Sequence, residues 1–460
     1  MNVLVAARGP GRIPAESPLN APLPERWARA GRLTDGTALV VLVVILGLLL
    51  LTVQPWSRTD PASGTDGGGS SVLKGAVLML CVVALLMVLP PRAALRFPTP
   101  LALFLLYGTY VVISSAFQPD ALQAMFRGTR LVLGLVVPAL LWSVVRGRFR
   151  LIVYASAAAY AGLALTVVAG AVLSPQLAWQ EGKPFQSARL VGAFLPMMAP
   201  RVGEIGAVLI GLTVLLWAQR KIGLLVLAPA VVAGTALIVF SHTRTAALAL
   251  VLGLLVAFGT AVRSPAGRRG LGLVGGALAL ALPFLPGIIN WAVRGQDTEQ
   301  LQKLSGRTAA WDFILSRPYD PHLFWLGHGL GDKRVLLRRG QGDINVVPID
   351  NSWLDTLWET GAVGATLVAL AVLAASVYAL KTPGYAARTF AGFLMTYVLV
   401  ASVNESGLCD FSSMTLLVLV SVLISAVDRA DKRDRAGETP VRHGHTHHRL
   451  RRSSTQPGTI

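Results

Sequence analysis

Residues 294–318 read RGQDTEQLQKLSGRTAAWDFILSRP, residues 324–343 read FWLGHGLGDKRVLLRRGQGD, and residues 348–364 read PIDNSWLDTLWETGAVG. Together they span Arg294 to Gly364, an arginine-rich loop whose last part opens a new apolar run. The rest of the chain reads as hydrophobic helices that hold this loop against a bilayer face.

Working outward, 53% of the 460 residues are hydrophobic, only 14% are charged, and mean hydropathy is +0.60. A soluble domain does not carry that profile; a polytopic membrane protein does. Twelve apolar runs approach the roughly 20 residues that cross a hydrocarbon core: 37–53, 72–90, 101–117, 131–145, 151–173, 203–218, 222–240, 246–262, 270–293, 352–379, 389–404 and 413–427. The fourth is short and contains Pro138. The expected class is all-α, with about 12 transmembrane helices and one large loop carrying short amphipathic helices. The divisions are a disordered N-terminal tail (1–36), helices one to nine (37–293), the loop (294–351), helices ten to twelve (352–427) and a basic tail (428–460). No cleavable signal peptide is expected, because a polar, arginine-containing stretch precedes the first apolar run. Cys81 and Cys409 are expected to stay unpaired.

The net charge of +18 invites a nucleic-acid reading, but its distribution follows membrane topology. With the N-terminus inside, the inner loops hold Arg92 and Arg96; Arg146, Arg148 and Arg150; Arg220 and Lys221; Arg263, Arg268 and Arg269; and Lys381 and Arg388. Eight further Lys/Arg lie in the tail between Arg429 and Arg452. Short, basic inner loops are what the positive-inside bias demands. Both termini are therefore expected in the cytoplasm, with no nucleic-acid partner.

The outer side breaks the bias. Arg127 and Arg130, then Lys183, Arg189 and Arg201, then Arg244, then eight Lys/Arg from Arg294 to Arg339 all fall there. Topology supplies no reason for them; an anionic ligand does. Contact with anionic headgroups is the competing reading, above all for Lys333 to Arg339.

Arg244, in FSHTRTAAL, sits at the lip of the hydrocarbon, and the nearest acidic residue in sequence is Glu204, one helix earlier. A guanidinium there is costly unless an anion pairs with it, and a lipid phosphate or diphosphate suits its planar fork. Arg307 opens an amphipathic helix, with Ser305 as its cap and Trp311, Ile314 and Leu315 on one face; lying along the interface, it presents Arg307 to the same headgroup. Trp291, Trp311, Trp325, Trp353 and Trp358 form an aromatic belt whose flat faces also suit sugar rings. Asp350, Asn351, Asp355 and Glu359 cross the start of helix ten. They read as caps and dipole partners, with Ser352 and Asp355 at capping-box spacing, or as a base for a hydroxyl group. His443, His445, His447 and His448 read as part of a flexible basic tail, not as an organised metal site.

In order, S-x-T-R at 241–244, G-R-x-x-x-W at 306–311, G-x-G-x-G at 327–331 and D-N-S-W-L-x-x-L-W-E-T-G-x-x-G at 350–364 resemble the O-antigen ligase and exopolysaccharide polymerase superfamily. The resemblance covers about 185–410, with ARLVGAF around Arg189 and VNESGL around Glu405; the second segment resembles the polymerase branch. It implies a GT-C-like glycosyltransferase of the bacterial inner membrane, acting outside that membrane on undecaprenyl-diphosphate-linked glycans. The implied partners are that donor, a hydroxyl acceptor and membrane lipid. It further implies that Arg189, Arg244 and Arg307 hold the diphosphate. The pattern departs at Asp350, where the family carries a histidine beside the asparagine, so Asp350 and His328 are the candidate bases. Asn351, Glu359, Glu405, Trp311 and Trp353 are candidate acceptor or sugar contacts. No cofactor and no metal are expected. A polymerase is the first expectation, a ligase using a separate acceptor the second, and a lipid-linked sugar transporter the reading from another class; a transporter calls for charges deep in broken helices.

Overall fold

The computed structural model describes residues 34–56, 68–88, 98–118, 120–145, 148–181, 188–293, 307–316, 320–331, 333–339 and 343–437. Most of both expected tails, Lys183, Ser305, Gly306 and the tail histidines lie outside these residues.

The chain before the loop forms α1 (Asp35–Thr52), α2 (Gly68–Val88), α3 (Thr99–Ser115), α4 (Ala121–Val144), α5 (Phe149–Leu173), α6 (Ala199–Ala218), α7 (Leu224–Ser241), α8 (Arg244–Thr260), α9 (Pro265–Ala281) and α10 (Leu285–Val293). Two-residue strands β1 (Trp179–Gln180) and β2 (Arg189–Leu190) pair between α5 and α6. The loop contributes α11 (Arg307–Ser316), α12 (Pro321–Leu326) and an antiparallel hairpin, β3 (Arg334–Arg339) with β4 (Asp343–Pro348). Then come α13 (Ser352–Leu380), α14 (Tyr385–Ala401) and α15 (Ser413–Gly437). Proline at the first or second position opens α3, α6 and α9, where its missing N–H has no partner to lose.

Among the described residues, eight helical spans are long and apolar enough to cross a membrane, and four shorter apolar helices accompany them. The chain is an all-α polytopic membrane protein. Its surface agrees: Leu225 is 93% exposed and Leu280 76%, a waste of burial in water but an ordinary lipid contact.

Several elements differ from expectation. α4 starts at Ala121, so Arg127 and Arg130 belong to a helix and not to a loop. Hydropathy falls at those cations, but the backbone continues because Arg127 donates to the Leu330 carbonyl and needs no water. The expected run 270–293 is broken into α9 and α10 by a 3-10 turn at Leu282–Phe284, centred on Pro283. The β3–β4 hairpin was not anticipated; the all-α expectation holds for the bundle, while the loop adds this small antiparallel piece.

Of the face expected on α11, Ile314 is buried and Trp311 packs beside it, whereas Leu315 turns outward. Ala310 and Ile314 are its fully buried positions and Leu315 is 66% exposed. Those positions join Val335, Ile349 and Trp358 in a small core beneath the loop. The hairpin gives α11 a protein surface to cover, and that surface sets which face turns in.

Candidate functional site

One end of the bundle gathers the start of α6, the α7–α8 turn, the start of α13, the α14–α15 connection and the loop. At the α7–α8 turn, His242 adopts φ +51°, ends α7 and lets α8 begin at Arg244 two residues later. Thr243 donates to the Ala199 carbonyl (3.1 Å). Gly203 makes that approach possible, since a Cβ there would lie 2.4 Å from Thr243 Cβ. On the facing side, Nε of Arg189 donates to the Ser241 carbonyl (3.0 Å). The turn is thus clamped from α6 and from β2.

Arg307 is the first residue of α11. Its Nη1 donates to the Asn404 carbonyl (3.2 Å), and its Nη2 pairs with Asp350 Oδ2 at 2.9 Å. Asp350 takes φ +44° just before α13, a conformation aspartate tolerates better than most residues. Arg189 lies within electrostatic range of Glu405, Arg307 and Arg244, and Arg244 within range of Arg307. Burial pulls the Arg189 pKa down, Glu405 opposes that, and Arg307 and Arg244 add to it. Burial pushes Glu405 up to about 7, against the pull of Arg307 and with Asp350 adding to the rise. Beside them Arg201 and Glu204 form an ion pair at 2.6 Å.

The structure therefore brings Arg189, Arg244, Arg307, Asp350 and Glu405 together from five segments spread over more than two hundred residues. Arg244 and Arg307 each begin a helix, where the dipole already carries about half a positive charge. A cation at that end is unfavourable, so the arrangement gains when an anion arrives. Among the described residues, three guanidinium groups thus lie with Asp350 and Glu405 at this end of the bundle.

The remaining sequence candidates have structural partners. Asn351 caps α13: Oδ1 accepts from the amides of Trp353 and Leu354 (3.0 Å each) and Nδ2 donates to Val403. Ser352 makes no capping box; its hydroxyl donates to the Glu405 carbonyl (2.6 Å). Trp311 donates to the Ile349 carbonyl and Trp353 to the Ser402 hydroxyl. Trp358 is buried under the His328 ring, stacked 3.6 Å away. Glu359 is 1% exposed and accepts from the Gly331 amide (2.6 Å). It is committed to the glycine turn.

That turn docks on a kink. Gly327, Gly329 and Gly331 all have positive φ, and α13 breaks helical geometry at Gly361 (φ +65°, ψ −174°). The amides of His328 and Gly329 donate to the carbonyls of Trp358 and Glu359 (2.9 and 2.8 Å). Tyr110 reaches the Trp325 and Thr360 carbonyls from α3.

Sequence reading missed a polar cluster behind the turn. Lys333 pairs with Asp410 at 2.7 Å, and the Cys409 thiol donates to Asp355 Oδ2 (3.2 Å). Burial, with Asp355 and Glu359 adding to it, drives the thiol pKa well up and keeps its proton in place. Burial raises Asp410, yet Lys333 overrides it and the carboxyl ends below its ordinary value. Among the described residues, Asp355, Glu359 and Cys409 could hold a cation, with donor atoms within 4.8 Å of one another; Lys333 already supplies positive charge there. The only available signal was the density of acidic residues at both ends of 350–410.

A multi-spanning helical membrane protein with a cluster of arginines at one end of its bundle is the class these features define. Residues 229–369 match the family model for O-antigen ligase, and this match supports the O-antigen ligase superfamily. The segment contains Arg244, Arg307 and Asp350, while Arg189 and Glu405 lie on either side of it. The family consists of glycan-processing membrane enzymes, ligases and polymerases, which act on lipid-linked glycans and glycan acceptors. No curated protein matches the chain.

Proposed function

We propose that the protein is a glycan polymerase of the bacterial inner membrane, working on the extracytoplasmic side. It would transfer an oligosaccharide from undecaprenyl diphosphate to the hydroxyl group of another lipid-linked repeat. The observation that carries this reading is the convergence of Arg189, Arg244 and Arg307, two of them on helix N-termini. In transfer from a lipid diphosphate, negative charge grows on the departing diphosphate oxygens. Preorganised guanidinium groups stabilise that charge more in the transition state than in the ground state. Asp350 steers Arg307 through the 2.9 Å ion pair, and Arg189 is aimed by the Ser241 carbonyl. On this reading the arginines do the work a divalent cation does elsewhere, and both termini lie in the cytoplasm.

A ligase that uses a separate acceptor is the second reading, supported by the description of the matching family model. The Asn404–Glu405–Ser406 segment favours the polymerase, since it resembles that branch. The experiment is purified protein in detergent with a lipid-diphosphate oligosaccharide, following released polyprenyl diphosphate and product length. A lengthening ladder supports the polymerase. A single transfer that needs an added acceptor supports the ligase. Absence of release under either condition refutes both.

A further inference from the structure

Glycosyl transfer to a hydroxyl group needs a place for the hydroxyl proton, and the arginine site offers two carboxylates. Asp350 is poorly suited. Its Oδ2 is held by Arg307 at 2.9 Å, and protonating it would loosen Arg307 just as charge reaches the diphosphate. Glu405 differs in every respect that matters. It lies in the α14–α15 connection, half-buried, and no described residue donates a hydrogen bond to its side chain. Its backbone is pinned on both sides, because Ser352 donates to its own carbonyl and Arg307 to that of Asn404. The carboxylate is therefore placed by the same guanidinium that binds the donor, while its oxygens stay open.

We infer that Glu405 is the catalytic base of the transfer proposed above, and that Asp350 is a positioning residue for Arg307. In the step, the acceptor oxygen forms a bond to the anomeric carbon as the bond from that carbon to the diphosphate oxygen breaks. The hydroxyl proton passes to Glu405, and the electron pair of the broken bond leaves on the polyprenyl diphosphate. Proton return from Glu405 to solvent or to the departing diphosphate restores the site. The inference rests on the transferase reading but not on the choice between polymerase and ligase.

The charged and titratable groups around Glu405 are Arg307 on α11, Asp350 before α13, Arg201 and Glu204 on α6, Arg189 on β2 and Tyr397 on α14. Their sum leaves Glu405 titrating at about 7, close to where a general base works best. Histidine side chains can also change charge in this range, so variants of His242 in the α7–α8 turn and His328 in the glycine turn serve as controls.

The test measures release of polyprenyl diphosphate from a lipid-diphosphate oligosaccharide across about pH 5 to 9. Wild type should gain kcat/KM as pH rises through about 7. Glu405→Gln should lose roughly 10²–10⁴ in kcat with little change in donor KM, and the acid limb should vanish. Glu405→Asp should recover part of the rate. Asp350→Asn should keep the acid limb while raising donor KM. The inference is overturned if Glu405→Gln retains wild-type turnover. It also fails if the limb persists in that variant, or disappears in Asp350→Asn, His242→Asn or His328→Asn instead. Should Glu405→Gln not fold, a wild-type profile flat through pH 7 overturns it as well. Inactive wild type would instead remove the transferase reading itself.

Discussion

Replacing Gly361 by alanine should detach the glycine turn from α13. Gly361 holds φ +65° and ψ −174°, a region that L residues enter only with strain. A new Cβ there would lie 2.3 Å from the Trp325 carbonyl oxygen and 2.7 Å from the Gly327 nitrogen. Both are backbone atoms, so no side-chain rotation relieves the contact. The chains must separate, and with them go the bonds from His328 to Trp358 and from Gly329 to Glu359. Strain of about 1–3 kcal/mol, with two backbone hydrogen bonds at about 0.5–1.5 kcal/mol each, totals about 2–6 kcal/mol. The cost falls on one turn, so hydrogen exchange resolved by mass spectrometry is the suitable assay. Amides of 328–331 should lose protection by one to several powers of ten, while those of α6 and α8 keep theirs. Wild-type protection at 328–331, with an unchanged melting temperature, would refute the reasoning.

Three other outcomes follow from the charges. Alanine at Arg244 or Arg307 should lower transfer by about 10²–10³, the usual loss of one preorganised donor; Arg307→Lys should recover little, because a lysine cannot bond two partners through a planar fork. Wild-type turnover in both alanine variants would rule out the diphosphate site. Lys333→Met should destabilise the protein by about 1–3 kcal/mol, since the Lys333–Asp410 pair is partly exposed. Asp410 is held below its ordinary value and Lys333 well above its own. The pair's contribution is therefore present from about pH 4 to 10, lost as pH falls through the folded Asp410 value or rises through the folded Lys333 value; thermal melts at several pH values check this. Glu405, raised to about 7, binds its proton more tightly in the fold than in the unfolded chain. Stability should thus fall between about pH 4.5 and 7. Glu405→Gln removes that cost, on the order of 3 kcal/mol at most, so it should melt above wild type at pH 8 but with it near pH 4. Equal melting at both values would contradict an unpaired carboxylate.

Hydropathy and charge pattern were enough to establish the helical membrane class, because apolar runs in lipid have no alternative but to satisfy their backbone internally. The same reading singled out Arg244 and Arg307, cations expected on the side without a topological need for them, and the family resemblance added Arg189. It could not find the β3–β4 hairpin, although RVLLRR and DINVVP flank the glycine-containing stretch GQG; against so many helices the short alternation carries little weight. It also could not decide which carboxylate does what. Asp350, Asp355, Glu359 and Glu405 are chemically similar in a string of letters. Only the fold ties Asp350 to Arg307, uses Asn351 as a cap, turns Glu359 toward the glycine loop and leaves Glu405 open beside the arginines. Local sequence sets hydropathy and helix ends, whereas a carboxylate's role depends on partners hundreds of residues away, which only tertiary packing brings within reach.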